Sequence, residues 1–175
     1  IIGILVLGGI GAGAVQSTNI KSASETNYYQ EPVNSLSPTA YTHTVLVEVG
    51  TATWCPSCPA SNSAWHSIYA SGNYDFEYTE LVYDMNTAAS SRFNEFNPKY
   101  VPTSYWDGGQ FVYPGTSITT FYSYLNSAGA RAVPDLVANL EVVWLGSAQI
   151  EISYVVENND ASAYPGKLRI YVQEI

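Results

Sequence analysis

The chain has 175 residues, 46% of them hydrophobic, enough to fill one core and part of a second. Six lysines and arginines against 15 acids leave a net charge of −9. No cationic cluster is present to displace counterions from phosphates, which argues against nucleic acid and anionic membrane surfaces as partners. Two cysteines are too few for the disulfide framework of a small secreted domain. They leave three options: one redox pair, one structural bridge, or half a metal site. Only 12% of residues are charged, and polarity comes instead from Ser, Thr, Asn and 15 tyrosines, a composition that suits an exported protein.

Residues 1–15 are small, apolar and uncharged. With no initiating Met and no basic n-region, they are expected to be the remainder of a signal-peptide h-region, with Ala12-Gly13-Ala14 as a small-x-small cleavage site. The other reading is an uncleaved membrane anchor, which needs ~20 apolar residues. Both place the rest of the chain outside the cytoplasm: periplasmic, secreted, or anchored to the outer side of the membrane. Residues 16–43 are polar, aperiodic and punctuated by Pro32 and Pro38, and read as a linker.

A domain is expected over 44–131. Thr44 to Val49 is a short apolar run with β-branched residues at 45, 47 and 49, the pattern of a buried central strand, interrupted by Glu48. Gly50–Thr53 turns the chain into Trp54-Cys55-Pro56-Ser57-Cys58-Pro59. From Cys55 to about Ala70 the spacing of Ala60, Ala64, Trp65 and Ile68 predicts a helix with one apolar face, Pro56 in its first turn and Pro59 at the edge of what that turn tolerates. A strand follows at 78–83. Ala88, Ala89, Arg92, Phe93 and Phe96 predict a short helix ended by Asn97-Pro98. Then Thr103–Trp106 and Gln110–Tyr113 flank Asp107-Gly108-Gly109 as a hairpin. Ile118, Phe121, Leu125 and Ala128 give a last helix, opened by Thr116 or Ser117. Tyr100, Tyr105 and Tyr113 read as packing residues and strand formers.

Beyond Pro134 the period becomes two. Leu136, Ala138, Leu140, Val142 and Trp144 alternate with polar neighbours, as do Ile150, Ile152, Tyr154 and Val156, and Leu168, Ile170 and Val172. Residues 135–175 are thus expected as three strands of an antiparallel meander, the start of an Ig-like β-sandwich that is incomplete at Ile175.

A strand running into Trp-Cys-x-x-Cys, a helix behind it, and a later Val101-Pro102-Thr103 leading into a strand together resemble the thioredoxin superfamily. The resemblance covers roughly residues 44–131 and implies an α/β fold: a three-layer α/β/α core with a mixed sheet. It also implies thiol–disulfide exchange with protein substrates, with no cofactor beyond the Cys55–Cys58 couple. By the family's pattern Pro102 is a cis-proline facing that couple, the backbone of Val101 pairs with the substrate chain, and Trp54 shapes the docking surface. An upstream thiol or quinone-linked partner would reset the couple. The intervening Pro56-Ser57 lacks the His of strongly oxidising relatives, so a moderate potential is expected.

The residues support this chemistry on their own terms. Thiolates attack disulfides, and a cysteine at a helix N-terminus faces unpaired N–H groups and the positive end of the dipole. Cys55 occupies that place and is the expected nucleophile, with Cys58 resolving the mixed disulfide. Glu48 is a further candidate: a carboxyl on a strand covered on both faces is desolvated, which suits it to trade a proton with Cys58. It lies one residue further from the first cysteine than the family's acid, an offset that reverses its face of the sheet unless the turn absorbs it. Zinc would require four ligands. His66 stands ~16 Å up the helix and His43 ~20 Å away at the far end of the strand, so neither meets the sulfurs. The alternative function is non-catalytic: a surface binding or adhesion module on a thioredoxin-like scaffold, its Cys55–Cys58 bridge structural.

Overall fold

The run of β-formers at Val45–Thr51 is buried along its whole length, and a computed structural model, which describes residues 2–9 and 41–173, shows what covers it. The elements are β1 (Ile2–Gly9), β2 (Val45–Thr51), α1 (Cys58–Ala70), β3 (Phe76–Val82), α2 (Thr87–Glu95), β4 (Thr103–Trp106), β5 (Phe111–Pro114), α3 (Ile118–Gly129), β6 (Leu136–Gly146), β7 (Gln149–Asn158) and β8 (Gly166–Gln173). Four strands form a mixed sheet in the order β3-β2-β4-β5. β2 runs parallel to β3 and antiparallel to β4, and β5 returns beside β4. This is the thioredoxin-like α/β core that the resemblance implies.

Alternation along β2 sorts the two faces. Val45, Val47 and Val49 pack with Trp65 and Ile68 of α1 and with Phe121 and Leu125 of α3. Trp65 is fully buried, stacks on Phe121 at 4.3 Å between centroids, and donates its Nε1–H to Ser104 Oγ at 3.0 Å. On the opposite face Leu81, Phe93 and Tyr105 form a second cluster under α2. Gly50 is required there by close approach: a Cβ at that position would stand 2.0 Å from the Phe93 ring.

Local signals account for most element ends. Asn86 caps α2 by accepting from Ala89 N–H, and Ser117 caps α3 by accepting from Thr120 N–H. Asp107, Gly108 and Gly109 all have positive φ, as the tight β4–β5 turn demands. The first helix starts later than the spacing predicts, at Cys58 with Ser57 as its N-cap residue, so Pro59 rather than Pro56 occupies its first turn. Two prolines three apart fit better when one precedes the helix.

The core also takes in residues 41–43, the only part of the expected 16–43 linker within the described residues. The Thr42 hydroxyl bonds the carbonyls of Gly129 and Arg131. His43 is buried against Asp107 (Nε2 to Oδ2, 3.0 Å), which also accepts from Arg131 and from Leu46 N–H. His43 is therefore a packing residue in a polar cluster at the start of β2.

In the C-terminal part β6 and β7 pair antiparallel as a long hairpin. The expected third strand of a meander is corrected: β8 pairs not with β7 but antiparallel with β1. Its side chains explain the choice. Leu168 and Ile170, like Leu140, pack against Leu136 and Ala138 of β6, so β8 covers the hairpin's apolar face instead of extending its edge. Residues 2–9, expected as leader or anchor, are the strand beside it; the rest of 1–15 lies outside the described residues.

Trp65→Ala is expected to destabilise the protein by about 3–5 kcal/mol in denaturant unfolding. Trp144→Ala, at an exposed hairpin position, is expected to change stability by less than about 0.5 kcal/mol. Equal losses at the two sites would contradict this division of the core.

Candidate active site

The end of β2, the turn after it and the N-terminus of α1 converge on the two cysteines. Thr51 still accepts Tyr83 N–H in the sheet, at 3.2 Å, and Cys55 N–H closes a turn onto Ala52 O at 3.2 Å. Cys55 and Cys58 are joined as a disulfide, with Cα atoms 5.4 Å apart. Cys55 sits in the turn ahead of α1, and the first helical N–H, that of Cys58, donates to Cys55 Sγ at 3.1 Å. The Ser57 side chain makes no capping bond; its hydroxyl lies 3.7 Å from the same sulfur. A backbone donor at the helix start and a hydroxyl thus both face Cys55 Sγ, a setting that favours negative charge at that position.

Ala52, Cys55 and Cys58 form a small buried cluster against Tyr83 and Val101. The Val101–Pro102 peptide bond is cis and Pro102 is buried at the entry to β4. Sequence separation hides this meeting of Val101 with the cysteines; the sheet creates it by pairing β4 against β2. Trp54 is 64% exposed, its ring edge-on to Tyr83 at 6.4 Å, and Tyr100 is 68% exposed. The structure therefore brings five of the six sequence-derived residues, Trp54, Cys55, Cys58, Val101 and Pro102, to one end of the sheet.

Glu48 is placed differently. It is fully buried on the α2 side of β2, and its carboxylate is bracketed by Arg92, with Nε to Oε1 at 2.6 Å and Nη2 to Oε2 at 2.8 Å. Tyr171 of β8 adds its hydroxyl to Oε1, and burial together with the Glu48 charge pushes that phenol well above its usual range. The hydrogen bonds of Glu48 among the described residues go to these two partners and not to a cysteine. Arg92 also bonds Glu95, which meets Arg169 of β8. His66 is exposed on α1, and His43 is at the other end of β2.

Three further residues matter that sequence reasoning missed. Arg92 and Tyr171 carried no motif, and Tyr171 is 123 positions from its partner. Asp84, two residues past the end of β3, accepts three bonds from Thr53: two from its N–H, at 3.0 and 3.2 Å, and one from its hydroxyl. The hydroxyl bond above all holds the Asp84 carboxyl below the usual carboxylate range.

No protein-family model matches the chain, and no curated protein matches it. Among solved structures it is similar to a thioredoxin of Malassezia sympodialis, with 17% identity over 50% of this chain and 76% of that one, TM-score 0.41. It is likewise similar to oxidised thioredoxin O2 of Arabidopsis thaliana (20% identity, 49% and 76% covered, TM-score 0.42) and to a Schistosoma mansoni thioredoxin (18%, 49% and 79%, 0.41). At these identities and scores the fold rests on this chain's own strand order and helix placement.

Arg92→Ala would leave a buried carboxylate without its cation and is expected to cost about 3–5 kcal/mol of stability. For Glu95, burial raises the pKa, but the Arg92 bonds and the Arg169 charge outweigh it and hold the carboxyl low. A depressed carboxyl stabilises above its unfolded pKa and loses that contribution as pH falls through its folded one. The stability difference between wild type and Arg169→Ala is therefore expected at pH 7 and absent once Glu95 is protonated, in unfolding curves taken from pH 7 down to 2.

Proposed function

We propose that the protein is an exported thiol–disulfide oxidoreductase that exchanges disulfides with protein substrates through Cys55 and Cys58. The observation that carries this reading is the Cys58 N–H aimed at Cys55 Sγ at the mouth of α1. That donor, with the helix dipole, favours the thiolate of Cys55 in the reduced couple. The thiolate attacks one sulfur of a substrate disulfide, forming a mixed disulfide and releasing the other sulfur as a thiolate. Cys58, beside it, gives up its proton to the released thiolate and attacks Cys55 Sγ, which frees the second substrate sulfur as a thiolate that takes a proton from solvent, replacing the one Cys55 had shed. Two electrons and the Cys58 proton pass from the couple to the substrate, and the reverse sequence oxidises a dithiol.

Trp54 and Val101 form the docking surface in this reading, and Pro102 shapes the backbone facing the couple. Glu48, set aside from the sulfurs by its bonds to Arg92 and Tyr171, acts at most through longer-range charge on proton transfer. Export is supported in this reading by the composition, poor in charge and rich in Ser, Thr, Asn and Tyr, since residues 2–9, expected as leader or anchor, pair with β8 as β1; a thiol or quinone-linked partner resets the couple. The second reading is a binding module whose bridge is structural. It is favoured by the apolar residues the β6–β7 hairpin leaves exposed, among them Trp144, Leu145, Tyr154 and Val155.

Purified protein is expected to catalyse reduction of insulin disulfides by dithiothreitol, and Cys55→Ser is expected to fall to the uncatalysed rate. Turnover retained in that variant would remove the enzyme reading.

A further inference from the structure

Asp84 carries the strongest arrangement that the exchange chemistry leaves unexplained. It is exposed, yet its carboxylate accepts the N–H and the hydroxyl of Thr53, a residue two positions before Cys55. Hydrogen bonds between exposed groups add little to stability, because water competes for both partners. Their effect here is local. Thr53 leads into Trp54, whose largely exposed ring meets the ring of Tyr83, the residue before Asp84, at right angles. Tyr83 is itself fixed, stacked on Phe93 at 4.9 Å and bonded through its N–H to Thr51 O. The pair Tyr83-Asp84 thus grips the turn Thr51–Trp54 from one side, by sheet pairing, ring contact and the carboxylate clamp.

We propose that Asp84 is a positioning residue of the exchange reaction: through Thr53 it holds Trp54 and the approach to Cys55 in the pose that receives a protein disulfide. The inference rests on the oxidoreductase reading and adds to it a residue outside the Cys-x-x-Cys and the proline loop. Without the carboxylate the turn samples other conformations, and ordering it again opposes docking of each substrate. A small disulfide needs only the sulfur of Cys55 and does not rest on Trp54. The clamp therefore acts on protein substrates and not on small ones. Its depressed pKa keeps Asp84 ionised and the clamp closed at every pH above the ordinary carboxylate range.

The test compares wild type, Asp84→Ala, Asp84→Asn and Thr53→Val, each checked for an unchanged melting midpoint. Three readouts are taken: insulin-disulfide reduction with dithiothreitol, reduction of 2-hydroxyethyl disulfide, and the pH profile of Cys55 alkylation by iodoacetamide. Asp84→Ala is expected to raise KM for insulin about tenfold, with kcat, the small-disulfide rate and the alkylation profile unmoved. Asp84→Asn, which keeps one acceptor oxygen, is expected to recover most of the loss, and Thr53→Val, which keeps the N–H, to fall between. Equal loss on both disulfides, or an alkylation profile shifted to lower pH alike in Asp84→Ala and Asp84→Asn, would mean a general or charge effect and would overturn the positioning role. Wild-type rates retained by Asp84→Ala on insulin would overturn it too. A wild-type protein inactive on both disulfides would instead bring down the oxidoreductase reading beneath it.

Discussion

The bond from Cys58 N–H to Cys55 Sγ, 3.1 Å long, is the interaction around which the rest is organised. It exists because α1 begins at Cys58 and not earlier, so its first donor has no carbonyl behind it and turns to the sulfur. That start is fixed by the two prolines on either side of Ser57. The helix is held in place by Trp65 and Ile68, buried against β2 and α3. Packing thus aims a backbone dipole at one atom, and the proposed chemistry depends on that aim.

The other face of the sheet has a different task. Glu48 reaches into it and meets Arg92 from α2 and Tyr171 from β8, while Glu95 meets Arg169 beside them. β8 therefore presents two sets of side chains: Leu168 and Ile170 toward the hairpin, Arg169 and Tyr171 toward the core. A strand's alternation lets one element join two layers. A buried ion pair of this kind is weak as a source of stability but strict about geometry, because a displaced partner leaves an unpaired charge. Its clearest effect is to fix how β8 lies on the thioredoxin-like core.

Much of this was legible before any coordinates. The β-α-β-α-β-β-α order, the Asp107-Gly108-Gly109 turn and the helix cap at Ser117 follow from local pattern, which local physics decides. The meeting of Val101 with the cysteines was legible only through the family resemblance, because sheet pairing brings it about. The fate of β8 was not legible. Period two says that a strand has an apolar face, not which edge it joins, and the alternating residues of β8 suit a meander and a covering layer equally well. Glu48 shows the same limit: its burial followed from the strand, while its partners lie 44 and 123 positions away. Asp84 escaped notice because an acid after a strand is ordinary until one sees what it grips.

The reduction potential of the Cys55/Cys58 couple, titrated against glutathione or dithiothreitol buffers, tests the central claim most directly. A couple poised for exchange, with a stabilised thiolate and no histidine between its cysteines, is predicted to fall between roughly −270 and −180 mV. A value below roughly −300 mV, in the range of bridges that the glutathione pool does not open, would mark Cys55–Cys58 as a structural staple and contradict the account.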